Sequence, residues 1–255
     1  MKKYSVIIAF CITTLLSVHA QDYKVNKSSG KLILNISNAQ IEGNSGNDIV
    51  FISEKFDSKP DPNAKGLQQI SSSGYKDNTG LGISVVEKGS TLEVNQVDHK
   101  VDLKILVPKN VVVSFVCHDV DDGNKIVCRN LENEISIEAD YDDILLENIS
   151  GPVNIKAKYG SITAVFGENI KGPVFLKSVH SNVDVAIPGD IKADLKLTSH
   201  HNTIMASSDL KIDLDNSGEK ITANYGSSVG GKLNGGGTEF NLFSEYEKVY
   251  LRKAE

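Results

Sequence analysis

The residues best equipped for chemistry lie in one acidic stretch. His118-Asp119-Val120-Asp121-Asp122-Gly123-Asn124 is followed, about one rung later, by Glu138-Ala139-Asp140-Tyr141-Asp142-Asp143. If successive runs stack, Asp121 and Asp122 fall beside Asp140, Asp142 and Asp143, about 4.8 Å away by the strand spacing of a sheet. Carboxylates that close repel one another unless water or a cation screens them, and calcium takes such oxygen ligands. Two readings stand for these five aspartates: a calcium site, or a solvated run of turn residues, since Asp favours corners. The EF-hand spacing and the Gly-Gly-x-Gly-x-Asp nonapeptide are both missing. No cofactor other than calcium is implied.

His180 and His201 occupy equivalent places in a recurring corner, with His200 beside them. Two stacked imidazoles would suit a metal. The same slot holds Tyr141 and Tyr159, however, so a ladder of stacked rings is the simpler account. No set of catalytic residues is expected. Beyond residue 20 the only arginines are Arg129 and Arg252, far apart in sequence. Gly230-Gly231-Lys232 and Gly235-Gly236-Gly237 lack the strand–loop–helix setting of a phosphate cradle and read as turns. Cys117 and Cys128 either pair as a disulfide, which an oxidising compartment allows, or serve as two small buried hydrophobes.

The elements that must position these residues are short strands. Runs of alternating apolar residues begin at Ile126, Ile135, Ile144, Val153, Ile162, Val174, Val183, Leu195 and Ile204, nine or twelve residues apart. Most read in–out–in, as in Val153-Asn154-Ile155, the pattern of a strand with one buried face. Every second run follows a corner of one type: Tyr141-Asp142-Asp143-Ile144, Tyr159-Gly160-Ser161-Ile162, His180-Ser181-Asn182-Val183 and His201-Asn202-Thr203-Ile204. Such a repeat predicts an all-β, right-handed parallel β-solenoid with rungs of 18–21 residues, the four rings falling in one column. The alternative is an antiparallel β-sandwich. A single domain over 21–255 is expected, with regular repeats over 111–255, where Tyr225 and Tyr246 begin looser copies of the corner. Residues 21–110 read as an irregular N-terminal part with a loop excursion at 54–80.

The start of the chain carries a different message. Met1-Lys2-Lys3, an apolar run from Tyr4 to Val18 and a small residue at Ala20 make up a secretory signal peptide over residues 1–20, with cleavage after Ala20. Losing Lys2 and Lys3 moves the net charge from −6 to −8. An acidic exported chain is a poor partner for nucleic acid or anionic lipid, and the mature chain has no stretch apolar enough to span a membrane.

Several of these features together resemble a known family. The Val107-Pro108-Lys109-Asn110 turn before a Val-rich strand, the Gly-Pro-Val and Tyr-Gly-Ser-Ile units, and the closing strand Val249-Tyr250-Leu251-Arg252-Lys253 resemble the bacterial DUF4097 family. That family is described as adhesin-like and is related to the head-GIN-domain group. The resemblance implies a β-solenoid in an exported or envelope setting, and it carries over no active site. The resulting expectation is a non-enzymatic adhesin-like or envelope-associated protein, periplasmic, surface-bound or secreted, that binds an unidentified protein or glycan. A purely structural envelope component and a polysaccharide-acting β-helix enzyme are the alternatives. Among outward positions Leu145 and Phe175 are apolar where water is expected, which marks them as a candidate contact surface.

Overall fold

A computed structural model describes residues 22–53, 62–99, 101–118, 124–215 and 226–254. Its strands, in chain order, are β1 (Asp22–Asn26), β2 (Ser29–Asn35), β3 (Ala39–Asn44), β4 (Asp48–Ser53), β5 (Ile83–Lys88), β6 (Thr91–Gln96), β7 (Leu103–Pro108), β8 (Asn110–Cys117), β9 (Lys125–Arg129), β10 (Ile135–Ala139) and β11 (Asp143–Ile149). They continue with β12 (Val153–Ala157), β13 (Ile162–Phe166), β14 (Val174–Ser178), β15 (Val183–Ile187), β16 (Ala193–Ser199), β17 (Ile204–Ala206), β18 (Ile212–Leu214), β19 (Ser227–Leu233), β20 (Thr238–Ser244) and β21 (Val249–Lys253).

Each strand offers two or three inward positions before a corner hands the chain to the opposite layer. In the middle of the molecule, successive strands alternate between two mixed, mostly parallel sheets. Each then pairs in parallel with the strand two places along the chain. Sheet one runs β1-β4-β7-β3-β9-β11-β13-β15-β21-β17, and sheet two runs β18-β19-β16-β20-β14-β12-β10-β8-β2-β6-β5. One strand from each sheet makes a rung. Inward side chains line up because register is kept from rung to rung. Val113, Ile135, Val153 and Val174 form one column of sheet two, and Ile126, Ile144, Ile162 and Val183 form one of sheet one. Branched aliphatic side chains suit these narrow layers, and they join into one continuous core from Leu32 to Leu251.

In the middle of the molecule the expected parallel stacking is found and no antiparallel hairpin forms: β10 and β11 lie in different sheets. Two departures from expectation concern order. Residues before 110, read as irregular, contribute two rungs in the same register. The rung β2/β3 sits between β6/β7 and β8/β9, with Leu32 beside both Leu92 and Val113. At the other end, rung β16/β17 does not rest on β14/β15. The C-terminal rung β20/β21 lies between them, with Phe240 beside both Val174 and Leu195.

Glycines make that insertion sterically feasible. After β19 pairs antiparallel with β16, the chain crosses the start of β16 to reach its other side. The crossing passes through Asn234, Gly235 and Gly236, all with positive φ. A Cβ on Gly237 would lie 2.6 Å from the Lys192 carbonyl oxygen, and one on Gly236 2.5 Å from Asp194 Oδ1. Antiparallel strands then cap both sheets at one end, β4 on β7 and β5 on β6, and sheet two at the other, β19 on β16 and β18 on β19, where sheet one ends at β17. Capping of this kind covers edges that would otherwise template aggregation.

Candidate functional site

The three described aspartates of the acidic stretch serve different local ends. Asp143 Oδ1 accepts from the Ser161 amide at 2.8 Å and from its hydroxyl at 2.6 Å, tying one corner to the next. Asp142 is fully buried. The rung above needs glycine at the matching place, since a Cβ on Gly160 would lie 1.9 Å from the Asp142 carbonyl oxygen. Asp140 Oδ2 is 3.4 Å from His118 Nδ1, an ion pair when the imidazole is protonated. Among the described residues, no three His, Cys, Asp or Glu side chains converge as metal ligands. Asp121 and Asp122 lie outside the described residues, as do the cleavage point after Ala20, Tyr225 and residues 54–61 of the excursion.

The ring column is present, with one member inserted. Tyr141 stacks on Tyr159 at 4.9 Å between centroids and Tyr159 on His180 at 4.6 Å. Tyr246 then intervenes, 4.9 Å from His180 and 5.0 Å from His201. With a phenol between them, the two imidazoles cannot share a metal whose nitrogen ligands stand about 2 Å from it. Ring faces inside the column are occupied by other rings, so only their edges meet solvent. Beneath it, Ser178, Ser199 and Ser244 repeat one device. Each hydroxyl accepts from the amide three residues on, at 3.2, 3.1 and 3.0 Å, and donates to a carbonyl of a neighbouring rung.

Cys117 and Cys128 are buried thiols on opposite sheets, and no cystine joins them. Burial pushes the Cys128 pKa up to about 12, which makes it an unreactive packing residue. A cavity of about 400 Å³ lies between the described part of the excursion (Ser71 to Ser73, Tyr75) and the N-terminal rungs at Asn35, Gln96 and His118. It is remote in the stack from Leu145 and Phe175.

Those two residues do not share a surface. Leu145 is on β11 of sheet one, between Val127 and Thr163, while Phe175 is on β14 of sheet two. The two outer faces differ in character. On sheet one, three outward cations are paired across strands: Lys104 with Glu42 at 2.6 Å, Arg129 with Glu147, and Arg252 with Asp184 at 2.7 and 2.8 Å. The hydrogen bond and charge of Asp184 hold the Arg252 pKa above its ordinary value. On sheet two, one outward column reads Ser136, Asn154, Phe175, Asn241, Lys196. The next reads Glu138, Lys156, Lys177, Phe243, Thr198. The Lys177 ammonium lies 5.0 Å from the Phe243 ring centroid. Phe175 and Phe243, 68 positions apart in the chain, become diagonal neighbours through the inserted rung.

No family model matches this chain. No curated protein matches it either. Two solved structures are similar. One is a "putative cell adhesion protein" from Clostridium sporogenes ATCC 15579, at 14% identity and TM-score 0.46, covering 92% of this chain and 100% of the other. The second is a "putative adhesin" from Bacteroides fragilis NCTC 9343, at 11% identity and TM-score 0.32, covering 92% and 98%. At these identities neither likeness says what this chain binds. No described helix is long and apolar enough to cross a membrane.

Two repeats escape a reading centred on rings and apolar runs. A small residue precedes each ring by two positions: Ala139, Ala157, Ser178, Ser199 and Ser244. At the opposite corner, Asn130, Asn148 and Asn169 recur at rung spacing, all left-handed at φ 52°, 55° and 60°. Asn148 Nδ2 donates to Asn130 Oδ1 at 2.8 Å. Asparagine tolerates that conformation better than other side-chain-bearing residues. The signal was visible as Asn-(Leu/Ile)-x-(Asn/Gly).

Proposed function

We propose that this chain is an exported, non-enzymatic binding protein of adhesin type, wound as a right-handed β-solenoid, that contacts an extended partner with the outer face of sheet two. The handedness follows the strong preference of parallel strand–crossover–strand connections. One observation carries the binding reading. Across β12, β14, β20 and β16, half-buried Phe175 and Phe243 lie among Asn154 and Asn241 on a surface whose backbone is hydrogen-bonded on both sides. Core packing requires none of those outward side chains. Support for a non-catalytic role comes from Asp143, which is engaged in holding its corner.

Fractionation of cells combined with proteolysis of intact cells tests export. Attachment assays with Phe175→Ser and Leu145→Ser, made separately, test the face. The protein is expected outside the cytoplasm, with attachment lost in Phe175→Ser and kept in Leu145→Ser. Recovery in the cytoplasm, or polysaccharide cleavage abolished by Asp143→Asn, would overturn the reading.

A further inference from the structure

Building on the binding reading above, we propose that the outer face of sheet two binds an acidic polysaccharide, with Lys156, Lys177 and Lys196 pairing its carboxylates and Phe175 and Phe243 packing against its sugar rings. The argument begins from an asymmetry of charge. The protein is acidic overall, at −6, and on sheet one Lys104, Arg129 and Arg252 are each matched with a carboxylate, leaving Lys125, among the described residues, as a single unpaired outward cation on β9. Lys156, Lys177 and Lys196 are exposed and form no ion pair among the described residues. They gather on four adjacent strands. Lys156 and Lys177 are strand neighbours, and Lys196 is two strands beyond Lys177. The patch therefore crosses roughly 14 Å at about 4.8 Å per strand step. The same outward face also carries acids near its margins: Glu138 next to Lys156, and Asp194 and Glu239 paired toward the starts of β16 and β20, two residues before Lys196 and Asn241.

The shape selects the class of anion. None of the four cavities described on the molecule is lined by these residues, which disfavours a small ligand held in a pocket. An extended peptide adds to a sheet edge, using unpaired backbone groups for affinity. These four strands are interior to the sheet, with both edges of each already hydrogen-bonded. What remains is a flat face of amides, ammonium groups and two phenyl rings, suited to a linear chain carrying a charge on repeated sugar units and laid across the strands.

The test uses the purified protein and three probes: alginate, neutral dextran and poly-L-glutamate. Alginate binding is expected at low ionic strength and should weaken as salt screens it. Dextran should not bind measurably. The variant K156Q/K177Q/K196Q should lose at least about tenfold in alginate affinity, the sum of three modest surface pairs. R252Q, on the opposite face, should match the parent, and unchanged melting temperatures would show that all variants fold. Failure of the parent to bind alginate, undiminished binding by the triple variant, or equal capture of poly-L-glutamate through the same lysines would each overturn the inference. If the triple variant still attaches to cells while Phe175→Ser does not, the polysaccharide inference falls and the binding face stands. If both variants attach normally, both readings fall.

Discussion

The middle of the stack and its two ends are made from the same kind of rung, yet they are assembled differently. From β8 to β15 the rungs follow one another in space as they do in the chain. At each end a terminal rung is wedged one place inward: β2/β3 beneath β6/β7, and β20/β21 beneath β16/β17. The outermost rungs thus come from internal segments, and antiparallel strands cover β7, β6 and β16, while β17 is left as an edge of sheet one. A coil that simply ran from end to end would leave its first and last rungs each holding one neighbour. Wedging gives the rungs β2/β3 and β20/β21 two neighbours each and leaves the outer positions to internal segments. The lesson is that column chemistry makes rungs compatible without fixing their order.

The strongest test of the middle is Ile155→Asp. Ile155 is buried between Ile137 and Leu176, and an unpaired carboxylate there costs on the order of several kcal/mol. Loss of cooperative thermal unfolding is expected. Asn154→Asp, one residue away and outward, should change stability by no more than about 0.5 kcal/mol. Equal effects would mean that the inward and outward faces are misassigned.

The wedged end is probed by Phe240→Ala. Phe240 is fully buried, with its ring edge-on to Phe166 at 5.4 Å, and truncation should cost about 3–5 kcal/mol. Hydrogen exchange should then quicken in β14, β16 and β20 while β10 and β12 keep their protection, as in nearest-neighbour repeat proteins. Order itself is decided by engineered cysteines. Phe175→Cys with Asn241→Cys should oxidise to a disulfide, being on adjacent strands. Phe175→Cys with Lys196→Cys should not, because two strand steps put their Cα atoms beyond the roughly 7 Å that a disulfide tolerates. The opposite result would restore chain order to the stack.

A smaller contrast lies in the ring column. Tyr246→Ala removes two stacking contacts at the wedge and should cost about 1–3 kcal/mol, whereas Tyr141→Ala removes one and should cost about 0.5–1.5 kcal/mol. Chemical denaturation of the two variants measures the difference. The smallest effect is at Glu132, whose pKa the hydrogen bond and charge of Lys171 hold below the usual carboxylate value. Its contribution is present above the unfolded pKa and is lost as pH falls through the lowered folded value. Glu132→Gln should therefore melt slightly below the parent near pH 7, and the two should converge in acid. A gap that widened in acid would contradict the pairing.

Much of this was legible before any coordinates. Inward positions from Ile126 to Val183, the ring column and the parallel pairing all follow from in–out–in runs and a corner repeated at rung spacing. A strand with one buried face must alternate, and a stack must keep its corners in line. The contact surface was only half legible. Leu145 and Phe175 both read as outward and apolar, but successive strands alternate between sheets, so the structure sets them on opposite faces. Phe243 joined the candidate patch only through the wedge.

The sequence by itself determined the rung: its alternation, its small residue and ring at one corner, its left-handed asparagine at the other. Those features are local, governed by side-chain size, backbone conformation and hydrogen bonds within a few residues. Only the tertiary structure decided where each rung goes. The inward columns of β14, β16 and β20 offer nearly the same apolar and serine groups to any neighbour. Stacking chemistry therefore does not distinguish β16 on β14 from β20 on β14. The choice falls to the antiparallel return of β19 and the close glycine crossing at Gly236 and Gly237 over Lys192 and Asp194, contacts between segments some 40 residues apart that no local pattern records.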